Sequence, residues 1–66
     1  MKIQATIGIG DYVLMVCHCY GNLYRLSIIN QNHVLHNFEG IYPELQSAIS
    51  RGKAVVNYLG QSHYVN

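Results

Sequence analysis

The sequence predicts an α+β domain: a four-stranded antiparallel meander sheet with one C-terminal helix packed on one face, in the order β-β-β-β-α. Three observations predict it. Residues 2–40 fall into short β-rich runs separated by tight-turn pairs. The stretch that follows carries apolar residues at helical spacing behind a proline. With 66 residues, the chain makes one small domain over 1–66, without room for a second.

The first run, "KIQATIGIG", alternates. Ile3, Ala5 and Ile7 fall on one side and Lys2, Gln4 and Thr6 on the other, the period of a half-buried strand. Gly8 and Gly10 are expected to break it, and Asp11 favours a turn. The runs "DYVLMVCHCY" and "LYRLSIIN" flank Gly21-Asn22, the signature of a two-residue hairpin. A regular ladder from that turn pairs Tyr20 with Leu23, Cys19 with Tyr24, His18 with Arg25, Cys17 with Leu26 and Met15 with Ile28. Opposed residues share a face. One face is then Val13, Met15, Cys17, Cys19, Tyr24, Leu26 and Ile28. The other is Tyr12, Leu14, Val16, His18, Tyr20, Leu23, Arg25, Ser27 and Ile29.

"NQNH" reads as a further turn, weaker in signal than Asn-Gly, followed by the strand "VLHNF". A Gln31-Asn32 loop would add Val34, His36 and Phe38 to the second face and Leu35 to the first. In "YPELQSAISRGKAVVNYLG", Pro43 suits the first helical position, Glu44 the first turn and Gly60 the stop. Leu45, Ala48, Ile49, Val55, Val56 and Leu59 share one arc, with Gly52 near its middle. Gln46, Ser47, Ser50, Arg51, Ala54 and Tyr58 form the solvated side. A glycine inside a helix costs about 1 kcal/mol relative to alanine, so Gly52 is expected to permit a close approach of helix to sheet. The tail "QSHYVN" lacks periodicity and reads as irregular. One helix covers one face of a sheet, most simply the thiol-rich one.

Composition narrows the function classes. The chain is 50% hydrophobic and only 11% charged, against about 25% charged in typical domains. Too few charges are present to cover its outside, which favours association. The net charge is +1, from Lys2, Arg25, Arg51 and Lys53 against Asp11, Glu39 and Glu44. No basic run offers a strong grip on phosphates. The N-terminus lacks the cationic start and long apolar core of a signal peptide, and no apolar run reaches the ~18 residues of a membrane helix. The expectation is a cytoplasmic protein with free thiols and no membrane partner.

Cys17-x-Cys19 and His33-x-x-His36 invite a zinc reading. Zinc motifs space cysteines by about two to four residues and histidines by about three to five; here the gaps are one and two. On regular strands, Cys17 and Cys19 share a face and His36 lies on the other. Two buried thiols are the simpler reading, and no metal or other cofactor is expected. Adjacent strand residues point apart, so His18 is poorly placed to activate either cysteine. His33, His36 and His63 are candidates only if the fold brings them round. The three acidic residues are scattered and give no acid/base pair. A chain this short also has little room for a pocket of the usual ~300 Å³. "SRGKAV" lacks the upstream glycine and the terminal Ser/Thr of a phosphate loop, and "GIG" alone is a weak dinucleotide signal. No catalytic residues are expected.

Two binding readings remain. Tyr12, Tyr20 and Phe38, interleaved with His18, Arg25 and His36, resemble the stacking platform of a single-stranded nucleic-acid module, which near-neutral charge disfavours. The same face also holds Leu14, Val16, Leu23, Ile29 and Val34. Uncovered, these would make an apolar patch larger than the few hundred Å² that monomers expose. The expectation is therefore a non-enzymatic interaction protein. Its partner, either another protein or a second copy in a homo-oligomer, is bound through Tyr12, Leu14, Val16, His18, Tyr20, Leu23, Arg25, Ile29, Val34, His36 and Phe38. Regulators and inhibitors of larger complexes, including those of phages and mobile elements, are often chains of this size.

Overall fold

Three two-residue turns set the sheet, and each has the backbone its residues allow. In the computed structural model, which describes residues 1–62, Gly10 (φ 59°) and Gly21 (φ 54°) begin the first two turns. A left-handed residue at the first turn position is what glycine supplies without a Cβ penalty. The third turn places both Gln31 (φ 52°) and Asn32 (φ 67°) in the left-handed region, the pattern of a type I′ hairpin. Neither is glycine, so the turn is held under strain. The double replacement Gln31→Asn with Asn32→Gly is expected to stabilise the fold by about 1 kcal/mol. That would raise the thermal midpoint by about 4–8 °C in a domain of this size, as a calorimetric scan would show.

The turns join β1 (Lys2–Ile9), β2 (Tyr12–Tyr20), β3 (Leu23–Asn30) and β4 (His33–Ile41) into one antiparallel sheet in chain order, and α1 (Leu45–Ser62) lies across it. This is the expected α+β meander with one packed helix. Several details differ. β1 runs through Gly8 to Ile9 instead of breaking there. Glu44 precedes the helix, its carbonyl accepting from the amides of Ser47 (3.1 Å) and Ala48 (3.4 Å); it is the cap, and Pro43 lies one residue outside. The helix also continues past Gly60 to Gln61 and Ser62, taking the first two of the six tail residues expected to be irregular. The remainder of that tail, including His63, lies outside the described residues.

The largest correction concerns register. Tyr20 pairs with Leu23 as expected, but His18 then pairs with Tyr24, leaving Cys19 as an extra, bulged residue. The slip carries down the ladder: Cys17 faces Arg25, Val16 faces Leu26, Met15 faces Ser27 and Leu14 faces Ile28. A regular ladder would have split the large aliphatics of β2 and β3 between two faces. The bulge brings them together. Leu14, Val16, Leu26 and Ile28 are all fully buried, in one core with Tyr12, Ala48, Ile49 and Val56. Burying four such side chains is worth roughly 6–12 kcal/mol before entropic costs, which outweighs the irregularity of one bulge. The bulged end is fixed by the His18 ring, whose Nε2–H donates to the Gly21 carbonyl at 2.8 Å.

Bulges also fall in the other two hairpins. One between Ile3 and Ala5 puts Ala5, Ile7 and Ile9 against the core and leaves Ile3 opposite Cys17 on the far side. The other, at Leu35, separates Val34, opposite Ile29, from His36 and Phe38, opposite Ile28 and Leu26. Val34 and Phe38 therefore lie on different faces, contrary to expectation.

The helix covers the Tyr12–Leu14–Val16 side, not the thiol-bearing side. Its apolar arc packs over β2 and β3 and reaches β1. Gly52 sits at the contact, where a Cβ would lie 2.6 Å from both Leu14 Cδ atoms. The expected close approach is present, with Leu14 as the neighbour. Gly40 plays the corresponding part on β4: Tyr42 folds over it, and an added Cβ would meet that ring at 2.7 Å. Tyr42 stacks edge-on with Tyr24 (centroids 6.3 Å apart), which in turn meets His18 at 5.1 Å. The domain measures 40 × 21 × 16 Å, thin enough for two layers only.

Candidate functional site

The face of the sheet away from α1 is built in cross-strand rows. Gly8, Val13, Ile29 and Val34 form the first; Thr6, Met15, Ser27 and Asn37 the second; Ile3, Cys17, Arg25 and Glu39 the third; and Tyr20, Leu23 and Ile41 close the end. At ~4.8 Å between strands and ~3.3 Å per residue, the face spans about 500 Å². Four of its polar residues pair across β3 and β4. Arg25 Nε donates to Glu39 Oε2 at 3.0 Å, Nη2 donates to the same oxygen, and Ser27 Oγ donates to Asn37 Oδ1 at 3.3 Å. The hydrogen bond that Arg25 donates to Glu39, and then the negative charge of Glu39, raise the pKa of the guanidinium above its ordinary value. Arg25 Nη1 also reaches Met1 Sδ at 3.9 Å. Arg25 on β3 and Met1 at the start of β1 thus approach each other across the end of the face that holds Cys17. Cys17, in the same row, is only 7% exposed although no helix covers this face.

Of the residues expected to bind a partner, Tyr20, Leu23, Arg25, Ile29 and Val34 do lie on this open face. Tyr12, Leu14 and Val16 do not: they are core residues under α1. His18 points to the helix side, bound to Gly21 and packed on Tyr24. His36 and Phe38 follow Ile28 and Leu26 to that side, where His36 is exposed and Phe38 packs against the core. The aromatic platform for nucleic acid is thereby divided. Tyr12 and Phe38 leave the face, and Arg25, which would meet phosphate, is held by Glu39. Sequence reasoning missed Ile3, Val13, Met15, Cys17 and Ile41. No size or polarity difference separates the two sides of β2 in the sequence: Val13 matches Val16, and Met15 is about as large as Leu14.

The cysteines and histidines do not converge. Cys17 and Cys19 are free thiols, one buried and one half-buried; Cys17 pairs with Arg25, and Cys19 is the unpaired residue of the bulge. Among the described residues, no three His, Cys, Asp or Glu side chains gather as a group able to hold a metal ion. The chain does have more concave space than its length suggests. A hollow of about 670 Å³ opens between the β1–β2 turn and the end of α1, bordered by Asp11, Tyr12, Asn30 and Asn57. Among the described residues, Asp11 is the one carboxylate on its wall. No helix among the described residues is long and apolar enough to cross a membrane.

Comparison of the chain with protein-family models, with curated proteins and with solved structures found no match.

Proposed function

We propose that the protein is a non-enzymatic, cytoplasmic interaction protein that regulates or inhibits a larger partner by seating the open sheet face on it. One observation carries the reading. Ile3, Val13, Met15, Leu23, Ile29 and Val34 stand unsheltered by the helix around the paired groups Arg25–Glu39 and Ser27–Asn37. A partner covering this face gains apolar burial and meets no charge lacking a counterpart, whereas a buried unpaired charge would cost several kcal/mol. The face is smaller than the patch expected from sequence, because Leu14 and Val16 are not on it. At about 500 Å² it is still close to the footprint of a modest interface, in which a few well-placed side chains carry most of the affinity.

The test is affinity capture with quantitative mass spectrometry, wild type against Met15→Lys and Ile29→Lys. Both variants are expected to fold, since both positions are only half-buried, and to lose whichever protein the wild type retains. Retention of the same protein at undiminished level by both folded variants would remove the open face from the reading.

A further inference from the structure

A sheet with two free edges must protect both or use one. On β1 the protection is evident: Lys2 opens the strand, a bulge interrupts it after Ile3, and α1 packs over it. These are the devices by which edges avoid pairing with other chains. β4 lacks most of them. It carries no lysine, arginine or proline, its first five residues are exposed, and its single charge, Glu39, is held by Arg25. Val34 is 59% exposed and Ile41 72%. The bulge at Leu35 lies near its start, so residues 36–41 run in regular register.

The direction of the β4 backbone groups follows from its two ends. Tyr42 N–H donates to the Asn22 carbonyl at 2.9 Å. Counting back by alternation, Gly40, Phe38 and His36 exchange hydrogen bonds with β3, and Asn37, Glu39 and Ile41 turn their N–H and C=O groups outward. The tight turn gives the same answer from the other end: Asn30 and His33 flank it as a bonded pair, and beyond the bulge Ile28 and His36 form the next. Three outward groups at every second residue are a template for an added antiparallel strand.

That strand has a good match in β4 itself. With Phe38 opposite its own copy, Asn37 faces Glu39 of the other chain twice over, so each carboxylate meets an amide that can donate. Leu35 then lies near Ile41. Sliding the pairing by two residues in one direction sets Glu39 against Glu39, a like-charge pair, and in the other sets Glu39 against Leu35. Of these three registers, the Phe38-centred one satisfies both charge and apolar neighbours. The hollow bordered by Arg25, Asn37, Phe38 and Glu39 opens beside the same segment. We propose that two copies join antiparallel through β4, about a two-fold axis at Phe38, into a continuous eight-stranded sheet. Both helices then lie on one side and both open faces on the other. This goes beyond the open-face reading and does not depend on it.

Sedimentation velocity over a wide concentration range tests the proposal. The wild type is expected to show a reversible dimer. Asn37→Pro removes an outward N–H that none of the described residues is seen to accept, and should raise the dissociation constant tenfold or more. Two milder changes at this exposed position report on register without threatening the fold. Asn37→Asp sets a second carboxylate opposite Glu39 and should weaken the dimer several-fold, whereas Asn37→Lys should tighten it. A single-chain mass at every concentration would overturn the proposal. So would a dimer indifferent to all three changes; if Met15→Lys broke that dimer, association would belong to the open face instead. An edge dimer that survives Met15→Lys while partner capture is lost would keep the two modes separate.

Discussion

Leu14→Lys is expected to unfold the chain, while Met15→Lys, one position along the same strand, leaves it folded. Leu14 is fully buried beneath Gly52, among Val16, Leu26 and Ile28. Met15 is half-exposed on the opposite face, between Thr6 and Ser27. A lysine at 14 must either bury an ammonium with no partner or displace the helix, and each costs several kcal/mol. The total stability of a 66-residue domain is about 3–10 kcal/mol at typical values per residue, so little folded population survives. A lysine at 15 keeps its head in water and its stem on the sheet. The alanine pair is the gentler version: Leu14→Ala should cost roughly 2–5 kcal/mol, and Met15→Ala under about 1 kcal/mol. Circular dichroism with a urea titration decides the matter. Had β2 and β3 met in the regular register with the helix over the thiol-bearing side, the order of the two positions would reverse.

Gly52→Leu is expected to be nearly as damaging, and Gly52→Ala informative. A Cβ at 52 would stand 2.6 Å from Leu14 Cδ1 and Cδ2 and 3.1 Å from Cγ, too close for any real pair of carbons. Leu14 is itself enclosed, so it cannot swing aside at low cost. Alanine gains about 1 kcal/mol of helix propensity and loses about 1–3 kcal/mol to overpacking; a net loss of up to about 2 kcal/mol follows. Leucine brings three further carbons into the same gap and should leave the domain unfolded or the helix detached. The decisive measurement is a double-mutant cycle. In a Leu14→Ala background the space reopens, and Gly52→Ala should become neutral or stabilising, a coupling of about 1–3 kcal/mol. Independent losses that simply add would mean the helix does not rest on Leu14.

Much of this architecture was legible in the residues. Alternation, turn pairs and the spacing of Leu45, Ala48, Ile49, Val55, Val56 and Leu59 gave the meander, its three loops and the helix with its solvated side. Gly52 was legible as a contact point because nothing else justifies its cost in a helix. The identity of the open face was not. Both sides of β2 are apolar, so pattern alone could not rank Tyr12, Leu14 and Val16 against Val13, Met15 and Cys17. The ranking was settled by the Cys19 bulge, which is a consequence of tertiary burial and leaves no local signal. Leu35 shows the same effect: its bulge divides Val34 from Phe38 although the two are four residues apart in one strand. The ends of α1 were misread for a smaller reason. Glu44 caps through its carbonyl, a role open to any residue, and Gly60 costs the helix only a modest amount of propensity two residues before its end.

The extra residue at Cys19 acts as a parity bit. Every strand position is odd or even relative to its turn, and one surplus residue swaps the two classes for all that follow. Shortening the chain by that residue would therefore do more than remove a thiol. It would exchange the inner and outer halves of β2 relative to β3, so that the molecule could satisfy its turn or its interior but not both. For this fold, the count of residues between turns is as much a part of the code as their identity, and small deletions in the strands are more dangerous than most replacements.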